Sequence, residues 1–409
     1  MTASHSYELF GPGFKRHAYQ TYAEMREQDP VYLQVFPDGF RMWFITGYDE
    51  VEMILRDHKR FVKNLRNAWP PERVATLPTP SPLEELLNNH MLNIDPPDHT
   101  RLRALINKAF TSRMVGQMQE RVQQVADELL DQVQSRGHME LIDEYAFPLP
   151  IVVIAELLGA PSSDRDRFRV WSDAFIGEPE NQEEAGQMMN LMADFTDYLR
   201  ALFDERRARP QADLISALIE AEEAGDKLSE AELFSMVILL IVAGHETTVN
   251  LISNGVLALL QHPDQMAALR ADPSLMPAAV EEFLRFDGPV ERSTPRWATE
   301  DIELGGQTIC RGDMVMVVLS SANRDEGQFD GASELDIHRE TNKHLAFGLG
   351  IHYCVGAPLA RMEGRIALET LLRRLPNLRM AASVDELVWR TVPLIRGLKQ
   401  LSVTWDIET

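Results

Sequence analysis

The stretch from Ser229 to Pro263 constrains this chain more than any other. Ser229 and Glu232 make an S-x-x-E capping box, and Pro263 follows Gln261-His262 at the far end. That spacing predicts one helix of about 32 residues, a rod of roughly 48 Å at ~1.5 Å per residue. Residues 233–260 are apolar on most faces, so the rod must run through the middle of the molecule. Yet Ala243-Gly244 and His245-Glu246-Thr247-Thr248 interrupt it at mid-span. Glycine inside a helix costs ~1 kcal/mol, and a buried carboxylate costs more unless paired. A central helix that weakens itself there makes room for something. Its uncharged run, Leu233 to Gly244, is shorter than the ~18 residues a membrane span requires.

The rest of the chain narrows the classes. Over 409 residues, 40 Lys+Arg against 63 Asp+Glu leave a net charge of −23. That charge repels phosphate backbones and anionic lipid headgroups, so neither nucleic acid nor a membrane surface is an expected partner. Two cysteines, Cys310 and Cys354, rule out a disulfide framework and any site needing four cysteine ligands. Lys15-Arg16-His17 is followed by Ala-Tyr-Gln-Thr-Tyr-Ala-Glu rather than an apolar segment, which reads as no secretory signal and a cytoplasmic protein.

No linker or repeat divides the sequence, so residues 1–409 read as one domain, mainly α with small β-sheets. Residues 31–36 and 40–46, joined by Pro37-Asp38-Gly39, predict a β-hairpin. Residues 69–82 hold five prolines (Pro70, Pro71, Pro78, Pro80 and Pro82) and read as a loop, a candidate lid. Helical patterns cover roughly 98–135, 148–158, 163–175, 184–207 and 211–223, and a β-rich patch lies near 295–318 with turns at Gly305-Gly306 and Arg311-Gly312-Asp313.

The chemistry lies in Phe347-Gly348-Leu349-Gly350-Ile351-His352-Tyr353-Cys354-Val355-Gly356-Ala357-Pro358. Gly348, Gly350 and Gly356 let the backbone turn tightly and approach a flat ligand. Pro358 suits the first turn of a helix running to about Arg374, which puts Cys354 just before a helix N-terminus. Amides and the helix dipole there favour thiolate over thiol, and a thiolate offered from such a loop is what an axial haem ligand requires. A merely structural Cys354 would leave the glycines and His352 without purpose, whereas Cys310 has no such setting. Gly348-x-Gly350 fails as a dinucleotide fingerprint because the third glycine position is Tyr353, and His245-Glu246 fails as a zinc helix because position 249 is Val249. Glu282 and Arg285 could be a surface pair, but Val280, Phe283 and Leu284 around them favour a buried one.

The string F-x-x-G-x-H-x-C-x-G, carried by Phe347, Gly350, His352, Cys354 and Gly356, resembles the haem-ligand loop of the cytochrome P-450 superfamily, the haem-thiolate monooxygenases. Ala243-Gly244-His245-Glu246-Thr247-Thr248 is similar to that family's oxygen-activation segment. Glu282-Phe283-Leu284-Arg285, with Arg339 fifteen residues before the cysteine, is similar to its E-x-x-R cluster. His99-Thr100-Arg101-Leu102-Arg103 is similar to its H-x-x-x-R segment. The resemblance covers essentially the whole chain and is nearest to bacterial soluble members, particularly macrolide hydroxylases.

This resemblance implies a P-450 fold with the long helix over haem b, Cys354 as axial iron ligand, and insertion of one oxygen atom from O2 into an unactivated C–H bond. Phe347, Gly348, Gly356, Ala243 and Gly244 would line the haem, and His99, Arg103, Arg296 and His352 would hold its propionates. Thr247 would supply a hydroxyl and Glu246 a proton path, while Gly244 would leave space for O2. Electrons would come from a ferredoxin or flavodoxin served by an NAD(P)H-dependent reductase. Arg101, Arg103, Lys108 and Arg113, with Arg361 and Arg365, read as its docking patch. Pocket walls are expected from 65–95, 171–195, 236–243, 289–296 and 391–397, including Leu92, Met188, Met189, Met192, Ile238, Val242, Val290 and Leu394. That lining suits a large apolar substrate, a macrolide or other polyketide first, ahead of fatty acids, steroids and terpenoids. The rivals are a peroxide-driven haem-thiolate oxidant and a haem sensor or carrier without turnover.

Overall fold

The structure is a computed structural model that describes residues 6–11, 13–80, 89–164, 167–168, 170–171, 174, 181–223 and 228–407. Its axis is the helix Glu230–Gln261, 32 residues long and bounded as the capping box requires. Ser229 Oγ accepts from the Glu232 amide at 3.2 Å, and Glu232 Oε2 accepts from the Ser229 amide at 2.7 Å. In length and apolarity this helix could cross a bilayer, but 72% of its most apolar window is buried inside the protein. It packs on the helices Pro148–Leu157, Ala357–Arg374 and Met276–Asp287. The last two come close at Gly255, where an added Cβ would sit 3.3 Å from Phe283 and 3.4 Å from Leu368.

The hairpin forms as expected, Val31–Val35 against Arg41–Ile45, with Gly39 at φ +81° in its turn. Its second strand then pairs in parallel with Met314–Val317, and the sheet continues through Arg296–Ala298 to Phe61–Val62. This sheet carries Arg296 and the residues after Val62 to one wall of the molecule. A three-stranded sheet (His138–Glu140, Ser402–Thr404, Arg379–Met380) and the hairpin Ile302–Leu304 with Gln307–Ile309 complete the strands among the described residues.

Two expectations change, one for a helix and one for a loop. The pattern over 98–135 divides into Asp98–Ala109, Ser112–Gln117 and Gln119–Val133. Thr111 is extended and its hydroxyl accepts from the Met114 amide, so it starts a new helix while the apolar period carries on across the break. The proline-rich loop holds one helical turn, Pro71–Val74, because Pro71 stands where no amide donor is needed; residues 81–88 lie outside the described residues. The pattern over 163–175 falls partly outside them as well, at 165–166, 169, 172–173 and 175. The patterns at 184–207 and 211–223 become Gln182–Ala208 and Leu214–Glu223.

Glu282 and Arg285 are buried, as their apolar flanks predict. The two carboxylate oxygens accept from Arg285 at 2.7 and 2.8 Å, from Arg339 Nε at 3.1 Å, from Asn342 Nδ2 at 3.1 Å and from the Asp336 amide at 2.9 Å. Arg285 also donates to the carbonyls of Asn323, Ala332 and Glu334 at 2.7–3.0 Å. A buried ion pair is tolerable when its donors and acceptors are met in this way. Here it fastens the segment that leads into the cysteine loop.

Candidate active site

The cysteine loop is built from two left-handed glycines. Gly348 and Gly350 have φ of +67° and +70°, and a Cβ on Gly350 would lie 2.6 Å from the Leu55 carbonyl oxygen. Gly356 does not need its glycine for backbone reasons, at φ −81°; an added Cβ there would face Cys354 Sγ at 3.9 Å. The helix Ala357–Arg374 begins where Pro358 predicts, and the Cys354 amide donates to Phe347 O at 3.0 Å. Burial pushes the Cys354 thiol up, and the amides of Gly356 and Ala357 with the charges of Arg103 and Arg361 offset this only in part. The helix terminus alone therefore does not favour thiolate, contrary to expectation, because desolvation outweighs it. A bound cation is what would fix the ionised form.

The loop is also held from the side. Arg361 donates to both oxygens of Glu281 at 2.6 and 2.8 Å, and its guanidinium stacks 4.5 Å over the Phe347 ring. His344 Nε2 lies 3.0 Å from the same carboxylate. Burial pushes Glu281 up, but the hydrogen bonds from His344 and Arg361 outweigh it and hold the carboxyl at about 2.

Between this loop and the central helix lies a cavity of about 720 Å³. Ala243, Gly244, Glu246 and Thr247 of the central helix and Phe347, Gly348, Cys354 and Gly356 of the cysteine loop line it. Leu92, Ile238, Val242, Val290 and Leu394 line it as expected. Met188, Met189 and Met192 do not; Met189 is 52% exposed, and Met91 is the methionine in the wall. The helix Gln182–Ala208 thus turns that methionine away from the cavity, and residues 175–180 of the anticipated wall lie outside the described residues. A Cβ at Gly244 would come no nearer than 3.7 Å to Ile154, so protein packing does not demand a glycine there.

Thr247 Oγ1 donates to Ala243 O at 2.7 Å, the local back-bond that competes with a catalytic role. Glu246 is buried, with Oε1 between Arg390 Nη1 (3.1 Å) and Asn250 Nδ2 (3.2 Å), while Oε2 is buried without a partner.

His99, Arg103, Arg296 and His352 all reach this cavity. The His99 and His352 rings meet edge-on at 4.4 Å, and both His99 nitrogens are buried without hydrogen bonds. Arg103 Nη1 donates to Tyr353 O at 2.6 Å and Arg296 Nη1 to Ser293 Oγ at 2.9 Å. Burial, then the charges of Lys63, His99, Arg296 and Arg103, drives His352 down to about 2, and burial lowers Arg296 to about 10. Lys63, which the sequence did not single out, adds another cation. It donates to the carbonyls of Thr294 (3.0 Å) and Pro295 (2.9 Å), and burial lowers its pKa well below the ordinary value. Cations crowded together and pushed towards neutrality fit a flat ligand bearing two carboxylates, which is what haem presents beside a cysteine.

Two further residues escaped the sequence reading. Glu363 is fully buried one side of the cavity, hydrogen-bonded with Thr248, and burial raises it to about 8. Its position four residues after Leu359 on an amphipathic helix was the available signal. Arg390 had none beyond lying next to an expected wall segment.

The anticipated docking patch shrinks. Arg101 is paired with Glu232, Arg361 with Glu281 at 2.6 Å, and Arg365 with Glu369 at 3.7 Å. Arg103 turns inward to Tyr353, while Lys108 and Arg113 stay exposed.

The family model "Cytochrome P450" matches residues 179–380. The cytochrome P450 monooxygenase PikC of Streptomyces venezuelae is 46% identical over 398 residues, covering 97% of this chain and 92% of PikC. The 6-deoxyerythronolide B hydroxylase of Saccharopolyspora erythraea is 42% identical over 404 residues, 98% of each chain. Among solved structures, the myxobacterial cytochrome P450 CYP267B1 in complex with myristic acid superposes with a TM-score of 0.89 at 45% identity, covering 98% of this chain and 99% of that one.

Proposed function

The chain belongs to the cytochrome P450 family, and on that premise we propose that it hydroxylates or epoxidises a large apolar organic molecule, a macrolide or other polyketide first, with electrons from a ferredoxin or flavodoxin. It is a haem-thiolate monooxygenase with haem b as cofactor, and its class takes O2, an organic substrate and electrons from redox partners. The finer reading is carried by one observation, the cavity of about 720 Å³ that both Cys354 and Glu246-Thr247 line. The likeness to a hydroxylase of 6-deoxyerythronolide B supports the substrate class. A cytoplasmic location and one catalytic unit over residues 1–409 belong to the same reading.

When bound, haem supplies a thiolate-ligated iron at which O2 is activated. Cys354 would hold the haem iron through its thiolate, and His99, Arg103, Arg296 and His352 would bind the two carboxylates by charge-assisted hydrogen bonds. Leu92, Ile238, Val242, Val290 and Leu394 would exclude water and orient an apolar substrate. Thr247, released from Ala243 O, would hold a water in the cavity, and Glu246 would pass protons to it. Phe347, Gly348, Gly356, Ala243 and Gly244 would form the surfaces against the macrocycle. Lys108 and Arg113 lie on the exposed surface, where an acidic electron donor would meet them.

The reduced protein exposed to carbon monoxide tests the site first. A Soret band far to the red of a histidine-ligated globin is expected, lost in Cys354→Ser; a globin-like band would favour a sensor or carrier. Turnover of a macrolide panel with ferredoxin, flavodoxin or peroxide alone then separates electron sources. Thr247→Ala is expected to lower product per NAD(P)H roughly tenfold or more, with peroxide released instead; unchanged yield would remove Thr247 from the reading.

A further inference from the structure

The central helix carries a polar stripe, Glu246, Asn250 and Asn254, spaced by four residues and so aligned on one face. All three members meet one segment near the C-terminus. Arg390 Nη1 lies 3.1 Å from Glu246 Oε1. Gly397 packs so tightly on Asn250 that an added Cβ would fall 1.9 Å from Asn250 Oδ1. Asn254 Nδ2 donates to Arg396 O at 3.1 Å. The segment is tied to itself by the Arg390 amide donating to Gly397 O at 2.9 Å. Between those ties, Val392, Leu394 and Ile395 face the cavity.

The geometry points to Arg390 as a positioning residue for Glu246. Arg390 and Asn250 take Oε1 between them, which fixes the carboxylate plane and leaves Oε2, buried and without a partner, as the oxygen available for proton transfer. Arg390 is 24% exposed at its side chain and Glu246 6%, so the pair is shielded enough for its orientation to persist. The same segment touches whatever fills the cavity, so a substrate that moves Val392–Ile395 also moves the guanidinium holding the acid. Proton delivery is thereby tied to cavity occupancy through a segment distant in sequence from the central helix.

This rests on Glu246 as the proton-handling acid, and the test separates the two ideas. Arg390→Gln, Arg390→Lys, Glu246→Gln and the double variant Glu246→Gln/Arg390→Gln are compared with the wild-type holoenzyme. The readouts are product per NAD(P)H, the solvent deuterium isotope effect, the spectral Kd for substrate, and the thermal melt. Arg390→Gln is expected to lower product per NAD(P)H roughly tenfold and enlarge the isotope effect, short of the ~100-fold expected for Glu246→Gln. Arg390→Lys should restore part of the loss, and in the double variant the Arg390 change should add nothing further, in coupling or in melting temperature. Wild-type coupling in Arg390→Gln while Glu246→Gln is impaired would overturn the role of Arg390 and leave the acid standing. Equal losses from Arg390→Gln with and without Glu246 would overturn it too. Wild-type coupling in Glu246→Gln would instead remove the reading it rests on.

Discussion

Two of the groups of buried charge among the described residues are built on opposite principles. Around Glu282 the carboxylate oxygens accept from Arg285, Arg339, Asn342 and an amide, and Arg285 spends its remaining donors on three carbonyls. Around the cavity, Lys63, His99, Arg103, Arg296 and His352 stand together; the nearby Asp95 carboxylate attracts Lys63, His99 and Arg296 but accepts its hydrogen bonds from the amides of Lys63 and Asn64 and from Asn67, and His99 has both ring nitrogens unmet. The first group is satisfied by the chain itself. The second is not, and a ligand with two negative charges would complete it. A structural cluster and a binding cluster can therefore be told apart by whether their hydrogen bonds close internally.

The sharpest way to break the comparison is to open the closed cluster. Glu282→Gln would leave Arg285 and Arg339 buried with a neutral partner, and the expected loss is ~3–5 kcal/mol of stability, haem or no haem. Soluble yield and the urea midpoint measure it. A next, smaller effect is expected from the open cluster, with a different signature. Arg296→Leu should leave the haem-free protein about as stable as before, since it removes a buried cation whose nearby carboxylate, Asp95, is already hydrogen-bonded by the amides of Lys63 and Asn64. Haem release by dilution should quicken by ~30-fold, or ~2 kcal/mol. Loss of stability in the haem-free protein would mean that the open cluster is structural after all.

Glu363 shows a third solution, a buried acid kept neutral. Burial raises it to about 8 against an ordinary 4.5. The native state thus holds a proton that the unfolded state has lost across that window. Its contribution to stability is full below pH ~4.5, falls as pH rises, and is gone above ~8, at up to ~1.4 kcal/mol per pH unit. Glu363→Gln, neutral at every pH, should flatten that slope while leaving stability at pH 5 close to wild type. Urea midpoints at pH 5, 6.5 and 8 would show it; an unchanged slope would mean Glu363 is ionised in the fold.

Much of the site was legible because its signals are local. The capping box bounded the central helix, Pro358 set the start of the next one, and Gly348 and Gly350 marked backbone that only glycine adopts easily. The apolar neighbours of Glu282 and Arg285 announced a buried pair. Local signals failed where a residue's surroundings came from far away. Met189 has the composition of a pocket wall but lies on the outer side of its helix. Arg361 and Arg101 read as free surface charge until Glu281 and Glu232 arrived from other elements.

The sequence by itself determined the helix axis, the cysteine loop and the family's motif set, since these depend on capping, φ and spacing within short stretches. Tertiary structure alone decided which charges are paired. Lys63 joins Arg296 through the Thr294 carbonyl, Arg390 reaches Glu246 across 144 positions, and Cys354 is buried deeply enough to raise its thiol. Electrostatic energy depends on distance in space and on exclusion of water, and neither is written in the order of residues along the chain.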